Sequence, residues 1–168
     1  MDLHYEVASA EDIPEITKVM TRAFDHDARL HLNEEKGGPS GYDNGEFFQR
    51  WMVEEEKSIG YKIINGDKII GAFIIFVGVK GPNFEGNSLG TIFIDPDYQN
   101  KGIGYQTWQY IEKTLYPDAK AWVLDTPSWA TRNHHFYEKK CGFTKVAEAP
   151  FPEEDDASGS LFIFEKRY

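Results

Sequence analysis

A proline and two nearby glycines constrain this chain more than any other feature of its sequence. Residues 89–95 are mostly apolar and predict a β-strand, which Pro96 ends because proline lacks the N–H that a sheet ladder needs. Gly102 and Gly104 follow, and apolar residues then recur at helical spacing until Leu115. The sequence therefore predicts a strand, a glycine-bearing turn and a helix, in that order.

This order of elements is typical of an anion-binding site. The first N–H groups of a helix have no acceptor within the helix, and the helix dipole adds partial positive charge, so a phosphate group can bind there. Gly102 and Gly104 lack the Cβ atoms that would hinder its approach to the backbone. An ordinary strand-to-helix turn is the alternative from these residues alone. The P-loop pattern is absent, and Thr107 stands where a dinucleotide fingerprint has its third glycine.

Two motifs together point to a known family. Residues 99–104 read Gln-Asn-Lys-Gly-Ile-Gly, and residues 136–143 read Phe-Tyr-Glu-Lys-Lys-Cys-Gly-Phe. The first matches the Gln/Arg-x-x-Gly-x-Gly/Ala pyrophosphate loop of the GNAT superfamily of acyl-CoA-dependent N-acyltransferases, and the second is close to its Phe/Leu-Tyr-Glu-Lys-x-Gly-Phe. The chain resembles this family over residues 3–166. The resemblance implies one α/β domain spanning residues 1–168, with a mixed, centrally splayed β-sheet flanked by helices on both faces.

The resemblance also implies how acetyl-CoA, as co-substrate, would bind. In the family, the pantetheine arm pairs with the main chain of a strand, which here is Ile92-Phe93-Ile94. Backbone amides from Asn100 to Tyr105 would hold the pyrophosphate, and the side chains of Gln99 and Lys101 would add contacts. A solvated surface charge is the alternative for Lys101. The implied loop contacts are Gln99, Asn100, Lys101, Gly102, Ile103, Gly104 and Tyr105.

The second motif departs from the family's commonest pattern at one position. An asparagine frequently stands seven residues before the motif's tyrosine, but that position here is Ala130. Asn133 stands four residues before Tyr137, hence on the same helical face, and is expected to contact the cofactor instead. An exposed or capping asparagine is the alternative.

Two side chains are the expected catalytic groups. Tyr137 matches the family tyrosine that lies near the CoA sulfur and protonates the leaving thiolate, which fits the ordinary pKa values of about 10 for a phenol and about 8.5 for a thiol. A core tyrosine is the alternative. An amine acceptor also needs a base, and Asp125 stands where some members have a glutamate; a turn-forming aspartate is its alternative. His134 is the second candidate for the base.

The acceptor is expected to be a primary amine of a small molecule or a peptide, with a positive charge. In the family, the first two helices and their loop build the acceptor pocket. The chain has 18 Lys and Arg against 28 Asp and Glu, a net charge of −10, which argues against nucleic acid and favours cationic partners. Acidic and aromatic residues predicted near the pocket are Phe24, Asp25 and Trp51, together with Asp27, Tyr42 and Phe48; core or surface roles are the alternative for each.

Other features limit the remaining classes of protein. The lone Cys141 forms no intramolecular disulfide, which favours a reducing, cytoplasmic location. No signal-peptide pattern opens the chain, and the longest apolar run, residues 69–77, is shorter than the ~18 residues of a membrane span. The histidines and aspartates at 25–31 match no metal-cage spacing, so no metal is expected. The sequence leaves open whether the protein forms a homodimer.

The expected activity is therefore acetyl transfer from acetyl-CoA to an amine without a covalent enzyme intermediate. A non-catalytic acyl-CoA-binding regulatory module is the competing hypothesis, and transfer of longer acyl groups is a third.

The remaining pattern predicts the approximate order of elements. Ser9 and Asp12 approximate a capping box that opens a helix through about Phe24. A long loop, 26–45, is expected to be functional or mobile. The other predicted elements are a first strand at 3–8, a helix at 47–57, a hairpin of 61–64 and 68–79 turning at Asn65-Gly66, strands at 121–126, 144–147 and 161–166, a helix at 132–140 and a solvated acidic loop at 153–156.

Overall fold

The computed structural model describes residues 1–155 and 157–168, which form a seven-stranded mixed β-sheet with helices on both faces. The strand order is β1-β2-β3-β4-β5-β7-β6. This architecture confirms the α/β fold class expected from the sequence. The strands are β1 Leu3–Val7, β2 Ser58–Asn65, β3 Lys68–Gly81, β4 Phe84–Ile94, β5 Ala121–Pro127, β6 Thr144–Ala149 and β7 Leu161–Arg167.

Four helices cover the sheet. A 3-10 turn, Ala10–Asp12, precedes α1, Ile13–Leu32. The other three begin as α-helix and continue with π-type hydrogen bonds: α2 is Glu46–Phe48 with Gln49–Glu54, α3 is Ile103–Tyr110 with Ile111–Leu115, and α4 is Thr131–His135 with Phe136–Lys140. In the described part of the chain, no helix combines the length and apolar character needed to cross a bilayer.

Side-chain alternation along the strands divides the core into two layers. Phe73 and Ile75 of β3 pack on the face covered by α3 and α4, where Trp108 and Trp122 are fully buried. Ala72 and Ile74 point to the opposite face and pack against α1 and α2. The second layer includes Ile16, Val19, Met20, Ala23, Phe48, Met52 and Phe93.

The sheet opens between β4 and β5. These strands run parallel and pair only at Asn87 with Trp122 and at Ser88 with Val123. A side chain at Gly86 would overlap the carbonyl oxygen of Ala121, so glycine permits the close approach where the strands meet. Beyond Ser88 the two strands separate, which confirms the central splay expected from the family resemblance.

A β-bulge lies at the point of separation. Thr91 of β4 pairs with Ile74, whereas Leu89 pairs with the next residue, Ile75, so Gly90 is an extra residue in β4. A bulge bends its strand and increases the local twist. Gly90 therefore turns the end of β4 away from β5.

Helix α1 is eight residues longer than the sequence pattern predicted, so the predicted loop at 26–45 is wrong over its first part. The residues after Phe24 are mostly polar, so the sequence pattern did not show that the buried face of the helix continues. On this face Ala28 is buried, and the His31 ring lies 5.8 Å from that of Trp129. The helix ends at Leu32, and the left-handed backbone of the next residue, Asn33 (φ 53°), terminates the α pattern.

Other element boundaries also differ from the prediction, and three of these differences concern the second helix, the β2–β3 turn and β4. Asn65 pairs with Lys68, so the tight turn is Gly66-Asp67 rather than Asn65-Gly66, and only Gly66 has positive φ. Strand β4 begins at Phe84, five residues before the predicted start, because it continues a long hairpin with β3. The second helix ends at Glu54 instead of residue 57, and β2 begins soon afterwards, at Ser58.

The acidic loop before β7 has exposed glutamates, in line with its prediction as a solvated tip, but it also makes contacts that were not predicted. Glu154 accepts a hydrogen bond from Arg50 at 2.7 Å, and Asp155 accepts one from the Ser40 N–H at 3.1 Å. Asp156, the last residue of the predicted loop, lies outside the described residues. The carboxylate of Glu154 therefore connects this loop to α2, and that of Asp155 connects it to the segment between α1 and α2.

Candidate functional site

The free edge of β4 is the centre of the candidate site. On one side, Ile92, Phe93 and Ile94 pair with Phe73, Ala72 and Gly71 of β3. On the other side, no strand in the described part of the chain pairs with residues 89–94. Their outward N–H and C=O groups are thus available to an extended ligand, which could add to the sheet as another strand does.

Asp95 fixes the end of β4. Its side chain is 1% exposed, accepts a hydrogen bond from Arg22 at 2.8 Å and accepts another from the Asp97 N–H at 2.9 Å. Arg22 also donates to Asp97 at 3.1 Å. Helix α1 is therefore bound to the start of the following loop, a link that sequence reasoning missed because Arg22 and Asp95 are far apart in the chain.

The loop before α3 has the backbone geometry of an anion site. Gly102 has φ 78°, and a Cβ added there would meet no atom within 4 Å. The first helical hydrogen bond runs from the Gln106 N–H to the Gly102 carbonyl, so the N–H groups of Ile103, Gly104 and Tyr105 precede it. Glycine at 102 is needed for the backbone conformation, and the space beside it is open for an anion.

Gly104 lies against α4 as well as in the loop. A Cβ at this position would lie 3.4 Å from the Phe136 ring, which is ordinary van der Waals contact distance. Packing of α3 on α4 therefore does not itself require glycine at 104, and its expected role beside the phosphate stays a prediction.

The other side chains of the loop are held by neighbours or exposed. Gln99 donates to the Ile94 carbonyl at 3.0 Å, so its amide closes the turn after β4. Lys101 is exposed. Asn100, with φ 61°, accepts a hydrogen bond from Arg132 of α4 at 3.0 Å. Sequence reasoning missed Arg132, because nothing in the local pattern indicates that α4 reaches this loop.

Tyr137 lies in the interior of α4, with 8% of its surface exposed. Its ring packs against Phe136, Phe143 and Phe164. Burial raises the pKa of the phenol well above its usual value, and Cys141, Asp125 and Asp27 raise the pKa further. The hydroxyl therefore stays protonated at neutral pH and can act as a hydrogen-bond donor.

Asp125 lies near the end of β5, on the sheet face opposite α3 and α4. The neighbouring Leu124 is buried in the layer beneath those helices, so strand alternation turns Asp125 towards the side of α1. Its side chain is exposed, but the protein around it still removes some water from the carboxyl, which raises the pKa; the Asp155 carboxylate raises it further. A raised pKa makes Asp125 a stronger base than an ordinary aspartate.

His134 and Asn133 both connect α4 to the end of β5. The Nε2 atom of His134 is 2.9 Å from the Pro127 carbonyl, which only accepts, so Nε2 carries the proton. The ring also stacks on Phe162. Asn133 donates to the Thr126 hydroxyl at 3.2 Å. These contacts favour Asp125 over His134 as a base, and the predicted cofactor contact of Asn133 stays a prediction.

The residues predicted for the acceptor pocket pack between α1, α2 and the sheet. Asp25 accepts hydrogen bonds from the Tyr42 hydroxyl at 2.6 Å and from the Gly37 N–H at 3.2 Å, so it fixes the segment after α1. The Phe24 ring lies 6.2 Å from that of Phe93 on β4. Trp51 packs edge-on against Phe76, with the Arg50 guanidinium 4.3 Å above its ring. Their predicted roles in acceptor binding stay predictions.

Asp27 lies over the opening between β4 and β5. Phe24, Asp27 and His31 share one face of α1. Phe24 contacts β4 through Phe93, and His31 lies beside Trp129, which follows β5, so Asp27 lies between these two anchors. Burial raises the pKa of Asp27, against the lowering effects of His31, His26 and Arg132. The opening is thus flanked by carboxylates from α1 and from β5.

Comparison with known proteins agrees with this arrangement. The sequence profile of the acetyltransferase (GNAT) family matches residues 17–143. The uncharacterized protein YrkN of Bacillus subtilis (strain 168) is 30% identical over 138 residues, which are 82% of this chain and 71% of YrkN.

Two solved structures share the fold at low sequence identity. An acetyltransferase from Thermus thermophilus superposes with a TM-score of 0.75 at 15% identity, over 100% of this chain and 98% of that one. The PaiA N-acetyltransferase from Thermoplasma acidophilum, solved in complex with coenzyme A, gives a TM-score of 0.73 at 18% identity over 100% of both chains.

Proposed function

Because this chain belongs to the acetyltransferase (GNAT) family, we propose that it transfers the acetyl group of acetyl-CoA directly to a primary amine. One observation supports this most strongly: the free edge of β4 leads directly into a loop with open space beside Gly102, and Tyr137 lies in α4, which packs against α3. An extended thioester with a phosphate group at one end fits this arrangement.

Acetyl-CoA is the acetyl donor in this proposal. Its pantetheine arm lies along residues 92–94 of β4, and the N–H groups of residues 100–105 bind its pyrophosphate. The PaiA structure from Thermoplasma acidophilum contains coenzyme A, which supports the same cofactor in a chain of the same fold. No covalent intermediate on the protein is required, and the buried Cys141, whose pKa is raised to about 12 by burial, is unsuited to be a nucleophile.

The chemistry forms a carbon–nitrogen bond and breaks a carbon–sulfur bond. The ammonium first loses one proton to Asp125, directly or through one water, and the neutral amine nitrogen then attacks the thioester carbonyl carbon. As the carbon–sulfur bond breaks, the Tyr137 hydroxyl donates its proton to the departing sulfur, and the second proton of the nitrogen returns to the tyrosine oxygen directly or through water. The products are the acetylated amine and the CoA thiol.

The acceptor is a cation in this proposal. The Asp155 carboxylate raises the pKa of Asp125, and the carboxylates of Asp125 and Asp27 both raise the pKa of Tyr137. Acidic groups therefore approach the opening from α1, from β5 and from the loop before β7. Their combined negative potential attracts a positively charged amine and raises its local concentration.

A thiol-release assay with a panel of acceptors tests this function. We expect turnover of acetyl-CoA with primary amines, highest with those carrying a second positive charge, and lower turnover with neutral amines. Longer acyl-CoAs in the same assay test the acyl-chain preference. Binding of acetyl-CoA without turnover on any amine would contradict catalysis and favour the acyl-CoA-binding regulatory module.

A further inference from the structure

We propose that the guanidinium of Arg132 binds the diphosphate of the CoA nucleotide, and that Asn100 holds the guanidinium in position. This inference rests on the proposed use of acetyl-CoA. It adds a charged side chain from α4 to the main-chain N–H groups of the loop and to the exposed Lys101.

The contact between Arg132 and Asn100 joins the two sides of the opening. Arg132 is the second residue of α4, after β5, whereas Asn100 belongs to the loop that follows β4. Their side chains meet at 3.0 Å, from Nη2 of Arg132 to Oδ1 of Asn100. The guanidinium is thereby held at the loop that precedes α3.

Arg132 retains donors for a ligand after this contact. A guanidinium has five N–H groups, and Asn100 accepts from one of its nitrogens. Within residues 1–155 and 157–168, the structure shows no ion pair that involves Arg132. Asp27 is near enough for Arg132 to oppose the rise of its carboxyl pKa, and the Arg132 side chain is exposed. The planar arrangement of its remaining donors suits the paired oxygens of a phosphate.

The local charge explains why a cation is needed here. The protein has a net charge of −10, and the diphosphate brings further negative charge to it. Asp95 and Asp97 stand immediately before the loop, and Arg22 pairs with both of them, which leaves an excess of negative charge. Main-chain N–H groups supply only partial charges, and Lys101 adds one flexible cation. Arg132 supplies a second cation that is already held in place.

The diphosphate is favoured over the 3′-phosphate of CoA by the position of Asn100. This residue lies two positions before Gly102, the N-cap of α3, in the same loop that leads to the N–H groups of Ile103 and Gly104. A group bound by those amides therefore lies next to the guanidinium. Dephospho-CoA, which has the diphosphate but lacks the 3′-phosphate, separates the two possibilities.

Calorimetric titration of three variants with CoA and with dephospho-CoA tests the assignment. We expect Arg132→Gln to weaken both ligands about tenfold, the lower end of the range for hydrogen bonds to charged groups because the site is exposed. Arg132→Lys should recover part of the loss, since it restores the charge without the paired donors. Lys80→Gln removes the same charge from the distant β3–β4 hairpin and should bind both ligands like the unmodified protein.

A double-mutant cycle tests the role of Asn100. Asn100→Gly keeps the left-handed backbone accessible and removes only the side chain that holds the guanidinium. We expect it to weaken CoA severalfold alone, and to add less than that in the Arg132→Gln background, because the two side chains act together.

The outcomes distinguish this inference from the proposed function. If the unmodified protein binds no CoA, the proposed function fails. If it binds CoA and Arg132→Gln binds equally well, Arg132 does not contact the nucleotide. A loss confined to CoA, with dephospho-CoA unaffected, would overturn the diphosphate assignment and move the contact to the 3′-phosphate.

Discussion

Replacement of Gly102 by aspartate and by asparagine separates the backbone geometry of the phosphate loop from its charge. Asp and Asn have the same shape and both tolerate the left-handed conformation better than other side chains, so each strains the φ of 78° to a similar extent. No atom lies within 4 Å of the added Cβ, so neither variant creates a clash. The difference between the two variants is therefore the charge of one carboxylate.

The magnitudes follow from this geometry. The left-handed conformation costs an L-residue roughly 1–2 kcal/mol, and a loss of about 1 kcal/mol lowers the melting temperature of a protein of this size by about 2–4 °C. Two unit charges about 4 Å apart interact by about 4 kcal/mol at an effective dielectric constant near 20. Solvent screening in an open loop reduces this value, and a residual of about 1.4 kcal/mol already corresponds to a tenfold change in affinity.

Calorimetric binding of acetyl-CoA, with thermal unfolding as the folding control, measures both effects. We expect Gly102→Asp to bind at least about tenfold more weakly than Gly102→Asn, with similar melting temperatures. Gly66→Asp is the matched control, because Gly66 also has positive φ (65°), open space around its Cβ and a location in the distant β2–β3 turn. Equal affinity of the Asp and Asn variants at position 102 would refute the assignment of this loop to the pyrophosphate.

Three further predictions concern the catalytic groups and the acceptor side. Tyr137→Phe keeps the ring packing and removes the donor, so kcat should fall by roughly 10²-fold while the melting temperature changes little; unchanged turnover would reassign the tyrosine to the core. Asp125→Asn should abolish the acidic limb of the pH–rate profile. The pKa of Asp125 is raised in the folded state, so its ionisation lowers the free energy of unfolding as pH rises above the ordinary aspartate range. Chemical denaturation should therefore show the Asp125→Asn variant to be more stable than the parent at neutral pH but not at low pH. Tyr42→Phe removes the hydrogen bond to Asp25 and should lower the free energy of unfolding by about 1–3 kcal/mol; an unchanged denaturation midpoint would show that this contact does not hold the segment after α1.

The features predicted correctly from the sequence are those encoded by neighbouring residues. Pro96 ends β4 and Gly102 sets the turn before α3 through local backbone chemistry, so their positions can be read without knowing the fold. The family resemblance then supplied the mixed sheet and its central splay. The bulge at Gly90 was not predicted, because an extra residue in a strand becomes visible only against its partner.

The features that the sequence did not indicate depend on distant contacts. Arg22 reaches Asp95 across 73 residues, and Arg132 reaches Asn100 across 32. The C-terminal part of α1 contains Asp25, His26 and Asp27, which suggest a loop, but buried Ala28 continues the helix against the rest of the molecule. The two arginine contacts carry no signal in either local segment, since each residue alone resembles an ordinary polar residue of the surface.

Mass spectrometry of the acceptor and of the protein in one reaction tests direct acetyl transfer. After incubation with acetyl-CoA and an amine that releases thiol, the proposed mechanism predicts an amine heavier by one acetyl group, an equal amount of free CoA thiol and a protein of unchanged mass at every time point. An acetylated protein that later transfers its acetyl group to the amine, or thiol release without an acetylated amine, would contradict it.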